Sequence, residues 1–159
     1  INNCLSDAIL KGGDWVQGLS VVHQLGSADY PIVSEKYKNP PCDVEFHEYI
    51  FDMPKYYKWA DIIVSRGGAS SIAEAAAFGI IPIIVPLPAA DDHQQKNAET
   101  LVVRNAGRMI LQKDLTPERL ISEVQSLRQD KALREEMVRN IKGLYIPQAA
   151  TTIAKEILQ

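Results

Sequence analysis

The fold is decided by residues 60–97, ADIIVSRGGASSIAEAAAFGIIPIIVPLPAADDHQQKN. The stretch reads as strand, glycine turn, helix, strand, loop, helix. Residues 61–65 form a short apolar run ending in Arg66-Gly67-Gly68, where glycines permit a tight turn at a strand end. Ser70-Ser71 then precede residues 72–77, an alanine-rich run of high helix propensity. Gly79 closes that helix, and residues 82–86 are apolar and β-branched enough for a buried strand. Polar residues thus collect where two strands end and two helices begin. In an open parallel sheet that edge is where ligands bind.

Working outward, residues 1–10 place Ile1, Leu5, Ala8 and Ile9 at helical spacing. No initiator methionine or cap precedes them, so the expectation is a fragment that begins inside a helix. Gly12-Gly13 break the pattern, and 19–23 reads as a strand ended by Gly26. Residues 27–38 follow as a helix with Pro31 near its first turn, stopped by Asn39-Pro40-Pro41. Residues 43–49 alternate apolar and polar, the pattern of a strand at an edge or half covered. A short amphipathic helix is expected over 53–59. Beyond the central stretch, 93–105 reads as a helix closed by Gly107, and 108–111 as a last short strand. Thr116-Pro117-Glu118 is a helix start, with threonine as cap and proline in the first turn. That helix runs to about 128, another spans 130–144, and a closing helix covers 149–158. Strands alternating with helices predict an α/β, Rossmann-like fold, a mainly parallel sheet flanked by helices with right-handed crossovers.

A length of 159 residues suits a single domain over 1–159, large enough for a core of its own. The composition, 46% hydrophobic and 23% charged, is that of an ordinary soluble globular protein. A net charge of −3 leaves no basic footprint, so nucleic acid is not an expected partner. No apolar run approaches the roughly 20 residues of a membrane span. The opening residues lack a signal-peptide pattern. Cys4 and Cys42 are outside CxxC spacing, so reduced thiols are expected rather than a zinc site or redox motif.

Gly67-Gly68-Ala69-Ser70-Ser71 could present backbone N–H groups to an oxygen-rich ligand, or be an ordinary tight turn with a serine cap. No GxGxxG is present, so a dinucleotide fingerprint is absent. Glu74 follows Ser71 at capping-box spacing. It is either the reciprocal cap or a carboxylate accepting from a ribose diol. Gln94, Gln95 and Asn97 cluster at a helix start that Asp92 is expected to cap, and amides suit hydroxyl-rich ligands because they both donate and accept. His93 has no nucleophile or acid at a telling spacing. His23-Gln24-x-Gly26 and Tyr49-Ile50 end two further strands at the same edge. Asp91 and Asp92 alone make a poor metal site, and neither metal nor cofactor is expected.

At these residues the chain resembles a known family. SRGGASSIAEAAAFGIIPIIVPLPAADDHQQKNAE is similar to the signature region of the MurG family, the UDP-N-acetylglucosamine–N-acetylmuramyl-(pentapeptide) pyrophosphoryl-undecaprenol N-acetylglucosamine transferases. The similarity extends to His23-Gln24-x-Gly26, Tyr49-Ile50-x-x-Met53, Trp59-Ala60-Asp61 and Ile146-Pro147-x-Ala149-Ala150. It covers essentially the whole chain. It implies the C-terminal, donor-binding half of a GT-B glycosyltransferase.

By that resemblance, uracil is held by the backbone of Ile50 with Tyr49 close by, and Glu74 binds the ribose hydroxyls. Gly68, Ala69, Ser70 and Ser71 lie along the diphosphate and sugar. Gln94, Gln95 and Asn97 address the diphosphate and the GlcNAc hydroxyls, and Arg66 sits near the sugar. No catalytic residue is expected in this chain. The family's base, lipid acceptor site and membrane-docking surface belong to an N-terminal domain missing here. A glycine-serine-glycine phosphate loop should also precede the first helix, and the loop from Pro88 to His93 is about one residue shorter than the family's.

The function implied is inverting transfer of GlcNAc from UDP-GlcNAc to lipid I, undecaprenyl-pyrophosphoryl-MurNAc-pentapeptide, giving lipid II. That places the full protein in peptidoglycan synthesis, cell-wall biogenesis, cell shape and cell division. Its expected location is the bacterial cytoplasm, peripheral on the cytoplasmic face of the inner membrane. The lone chain is expected to be inactive. The alternatives are another UDP-sugar enzyme, with a different acceptor or 2-epimerase chemistry, and a non-catalytic nucleotide-sugar-binding subunit.

Overall fold

A computed structural model describes residues 1–88 and 92–157. Its elements alternate as α1 (Asn2–Lys11), β1 (Ser20–Gln24), α2 (Gly26–Lys36), β2 (Asp43–His47), α3 (Met53–Tyr57), β3 (Ile62–Ser65), α4 (Ala69–Phe78), β4 (Ile81–Ile84), α5 (His93–Val103) and β5 (Arg108–Met109). Three helices follow, α6 (Pro117–Gln129), α7 (Lys131–Lys142) and α8 (Ala149–Ile157). Every strand pairing is parallel, so the α/β class expected from the alternation holds. The expected end of the last helix, at 158, lies outside the described residues.

The expected continuous sheet is instead two, β1-β2 and β3-β4-β5. β1 and β3 each pair on one side, and the edges left over line a shared cavity of about 570 Å³. Ser20, Val22 and Gln24 line it from β1, and Ile62, Val64 and Ser65 from β3. Two buried polar groups on its wall, the Trp15 indole N–H and the Ser65 hydroxyl, lack a hydrogen-bond partner among the described residues.

β4 is buried at all four positions, as its continuous β-branched pattern requires. Pro82 sits in this central strand without breaking a ladder. Ile81 and Val85 donate to Asp61 and Ser65 on the β3 side, so the N–H that proline lacks would point the other way. There β5 pairs only from Ile83 onward, and Gly107 lies against the proline. The main core packs Ile81, Ile83 and Val85 with Ile9, Leu120, Leu127 and Met137.

Several helix ends differ from expectation for local reasons. α2 begins at Gly26 itself, so Pro31 is in its second turn rather than its first. α4 begins at Ala69 with Gly68 as N-cap, three residues ahead of the alanine run, which puts both serines inside the first turn. α5 ends at Val103. Asn105, at φ 47°, takes the left-handed position expected of Gly107, and Ala106 N–H closes the turn on the Leu101 carbonyl. Thr116 and Gly79 cap as expected, Thr116 accepting from the Arg119 N–H at 3.1 Å.

Candidate functional site

The carboxyl ends of β1, β2 and β3 carry the polar groups of the site. The chain leaves β2 through Tyr49-Ile50. Ile50 is buried, and its N–H donates to Gln24 Oε1 at 2.9 Å, tying that turn to the end of β1. Among the described residues its carbonyl accepts no hydrogen bond. Tyr49 is 60% exposed and meets Phe51 edge to face, ring centroids 4.9 Å apart. An amide side chain thus occupies the donor that a flat heterocycle would use, with an open aromatic face beside it.

β3 ends in the glycine turn. Gly67 has φ 81°, and a Cβ there would lie 2.5 Å from Ile84 Cγ2, so both backbone and packing require glycine. Asn97 Nδ2 donates to the Gly67 carbonyl at 3.2 Å, and Gln94 Oε1 accepts from the Leu87 N–H at 2.9 Å. These two α5 side chains fasten the turn and the loop after β4. Gly68 is different, because a Cβ there would meet open space. No side chain caps α4. The N–H groups of Ala69, Ser70 and Ser71 precede the first intrahelical bond, Ile72 N–H to the Gly68 carbonyl at 3.1 Å. Together with the helix dipole, they form a positive end open to an anion.

Glu74 decides between its two readings. With α4 starting at Ala69, it lies in the second turn and caps nothing. Its Oε2 instead accepts from the Tyr57 hydroxyl at 2.8 Å, and among the described residues Oε1 has no partner. The residue is exposed. A carboxylate with one oxygen fixed and the other open is an acceptor for a hydroxylated ligand. Arg66 reaches the other way, donating to the Val85 carbonyl and to Gln112 Oε1.

Gln24, Ile50, Tyr57, Arg66 and Ser71 line the 570 Å³ cavity together. Gln95 does not join them. Its Nε2 donates to Glu99, and it lines a second cavity of about 420 Å³ with Pro86, Leu87, Gln112 and Lys113. Asp92 stands at the start of α5 in a left-handed conformation, φ 49°, and its side chain does not cap the helix. Asp91 lies outside the described residues. Among the described residues no three His, Cys, Asp or Glu side chains group as a metal site would need, and no helix is long and apolar enough to cross a membrane.

His23, beside Gln24, belongs to a closed network. It is 5% exposed, its Nε2–H donates to Asn2 Oδ1 at 3.2 Å, and its Nδ1 accepts from the Tyr37 hydroxyl at 3.0 Å. Burial pushes its pKa down to about 4. Nothing in the sequence marks Tyr57 and Gln112 as site residues. Their partners lie 17 and 46 residues away, and no local spacing signals such pairs.

Residues 3–156 match the model of the glycosyltransferase family 28 C-terminal domain. The chain is 83% identical over all 159 residues to the UDP-N-acetylglucosamine–N-acetylmuramyl-(pentapeptide) pyrophosphoryl-undecaprenol N-acetylglucosamine transferase of Bdellovibrio bacteriovorus, covering 44% of that protein. It is 42% identical over 157 residues to the transferase of the same name from a Geobacter species, covering 42% of it. The chain therefore spans less than half the length of these relatives. Among solved structures, the crystal structure of Acinetobacter baumannii MurG superimposes with a TM-score of 0.82 at 28% identity, over 99% of this chain and 45% of that one.

Proposed function

We propose, from the premise that the chain belongs to the glycosyltransferase family 28 C-terminal domains, that it is the donor-binding part of a UDP-GlcNAc-dependent N-acetylglucosaminyltransferase. The observation that carries this reading is Glu74, an exposed carboxylate with Oε2 held by Tyr57 and Oε1 open, close to the uncapped start of α4. In this reading the ribose diol donates to Glu74, uracil donates its ring N–H to the open Ile50 carbonyl beside Tyr49, and the diphosphate lies against the Ala69–Ser71 N–H groups. Gly68 leaves room for the ligand to approach.

Catalysis here is electrostatic. As the bond from the anomeric carbon to the diphosphate breaks, negative charge grows on the departing UDP. Fixed N–H groups and the α4 dipole stabilise that charge without reorganising. Gln94 and Asn97 act by holding the turn and the following loop in register, and Gln95 and Arg66 stand on the sugar side. An acceptor hydroxyl and the base that deprotonates it come from outside this chain.

The whole protein, in this proposal, transfers GlcNAc to lipid I to give lipid II in peptidoglycan synthesis, serving cell shape and division. It works on the cytoplasmic face of the bacterial inner membrane, and both the acceptor and the membrane are met by a preceding domain. The names of the relatives support the transfer, and their length supports a further domain.

Calorimetric titration of UDP-GlcNAc, with ADP-glucose as control, into the chain and into Glu74→Ala tests this reading. The expected result is UDP-selective binding that the substitution weakens by about 1–3 kcal/mol. Equal binding by both proteins, or equal affinity for both nucleotides, contradicts it.

A further inference from the structure

Glu74 is exposed and its side chain has several rotamers, and a ribose diol is bound more tightly by a carboxylate already aimed at it. The aiming group is on another element. Tyr57 ends α3, and its ring is 7% exposed, packed with Ala75 and Ile80 and tilted against Phe78 at 5.6 Å between centroids. Only its hydroxyl has a polar task, donating to Glu74 Oε2 at 2.8 Å. Burial, and after it the bond to Glu74, raises the Tyr57 pKa, so the hydroxyl remains a donor.

We infer that Tyr57 is a positioning residue for nucleotide recognition, fixing one carboxylate oxygen of Glu74 so that the other faces the ribose hydroxyls. The inference rests on the proposed nucleotide reading of the site. The geometry also joins both ends of that ligand. α3 begins directly after the Tyr49-Ile50 turn, with Asp52 Oδ1 accepting from the Lys55 N–H at 3.3 Å as its cap. One five-residue helix therefore connects the segment proposed to hold the base with the side chain that orients the ribose acceptor.

Tyr57→Phe removes a single oxygen from a ring that stays packed, and the Glu74 oxygen it releases can turn to water. The fold is therefore retained. The test compares UDP with 2′-deoxy-UDP, by titration into the unmodified chain, Tyr57→Phe, Glu74→Ala and the double variant. The unmodified chain is expected to prefer UDP by about tenfold, the size of one well-made hydrogen bond to a charged group. Tyr57→Phe should lower that preference by roughly threefold or more while leaving 2′-deoxy-UDP affinity within about twofold. In the Glu74→Ala background the same change should do nothing further.

A general loosening of α3 would weaken both ligands alike and leave the ratio unchanged. That result overturns the inference, as does an additive effect in the double variant. If Glu74→Ala itself keeps the preference, or the unmodified chain shows none, the nucleotide reading of Glu74 fails first, and the role of Tyr57 falls with it.

Discussion

Two buried tyrosines, Tyr37 and Tyr57, hold polar partners near the same edge of the molecule, with opposite outcomes. Tyr37 donates to His23 Nδ1, whose Nε2–H donates to Asn2 Oδ1, while Asn2 Nδ2 donates to the Leu25 carbonyl and to Asp29. Each of these links ends on a partner, and His23 is buried. Tyr57 donates to Glu74, and there the chain of bonds stops at an oxygen open to solvent. A closed network stabilises one conformation, whereas an open one has capacity left for a ligand. The difference explains how a histidine in a family-like motif can be structural while an exposed glutamate keeps an acceptor oxygen open.

The largest expected effect falls on the closed side. His23→Leu orphans the Tyr37 hydroxyl and the Asn2 carbonyl and should cost about 2–4 kcal/mol in denaturant unfolding, with UDP affinity of the folded fraction unchanged. If UDP binding fell while stability held, the division between the two networks would be broken.

Next in size is the pH response. His23 titrates near its ordinary 6.5 when unfolded and at about 4 when folded. The unfolded chain therefore takes up the proton first as pH falls. Its contribution is complete above pH 6.5 and is lost between 6.5 and about 4, by at most about 3 kcal/mol. Protonation would also turn Nδ1 into a donor, so that the Tyr37 oxygen would have to accept and its own hydrogen would lose its acceptor. Unfolding curves across that window should flatten in His23→Leu, and an unchanged slope would show that His23 is not the titrating group.

Smallest in stability is the open side. Glu74→Ala should cost about 1 kcal/mol in unfolding, because its partner among the described residues is the Tyr57 hydroxyl, and that part-buried donor can turn to the water that replaces the carboxylate. The same substitution carries the largest effect on nucleotide binding. That inverse ordering sharpens the contrast.

How far the sequence shows these networks depends on distance along the chain. Strands β3 and β4, the Gly67 turn, the Gly79 closure and the Thr116-Pro117 start are legible because each rests on neighbouring residues. The start of α4 is misplaced by three residues because Gly68 serves as N-cap and leaves Ser70-Ser71, good caps themselves, inside the helix. Asn105 displaces Gly107 because asparagine also tolerates the left-handed region. The split of the sheet depends on which strands meet, which alternation does not encode. The Ile50–Gln24 and Tyr57–Glu74 bonds span 26 and 17 residues and join separate elements. Their ends are visible as polar or aromatic residues at the sheet edge, but their pairing is a property of the fold.

The most direct measurement is an amide NMR titration of the chain with UDP. The account predicts shifts at Ile50 and at Ala69, Ser70 and Ser71, with Glu74 and Tyr57 following, and His23 and Tyr37 unmoved. Shifts centred on the His23 network, or on the cavity between Pro86 and Lys113, would contradict it.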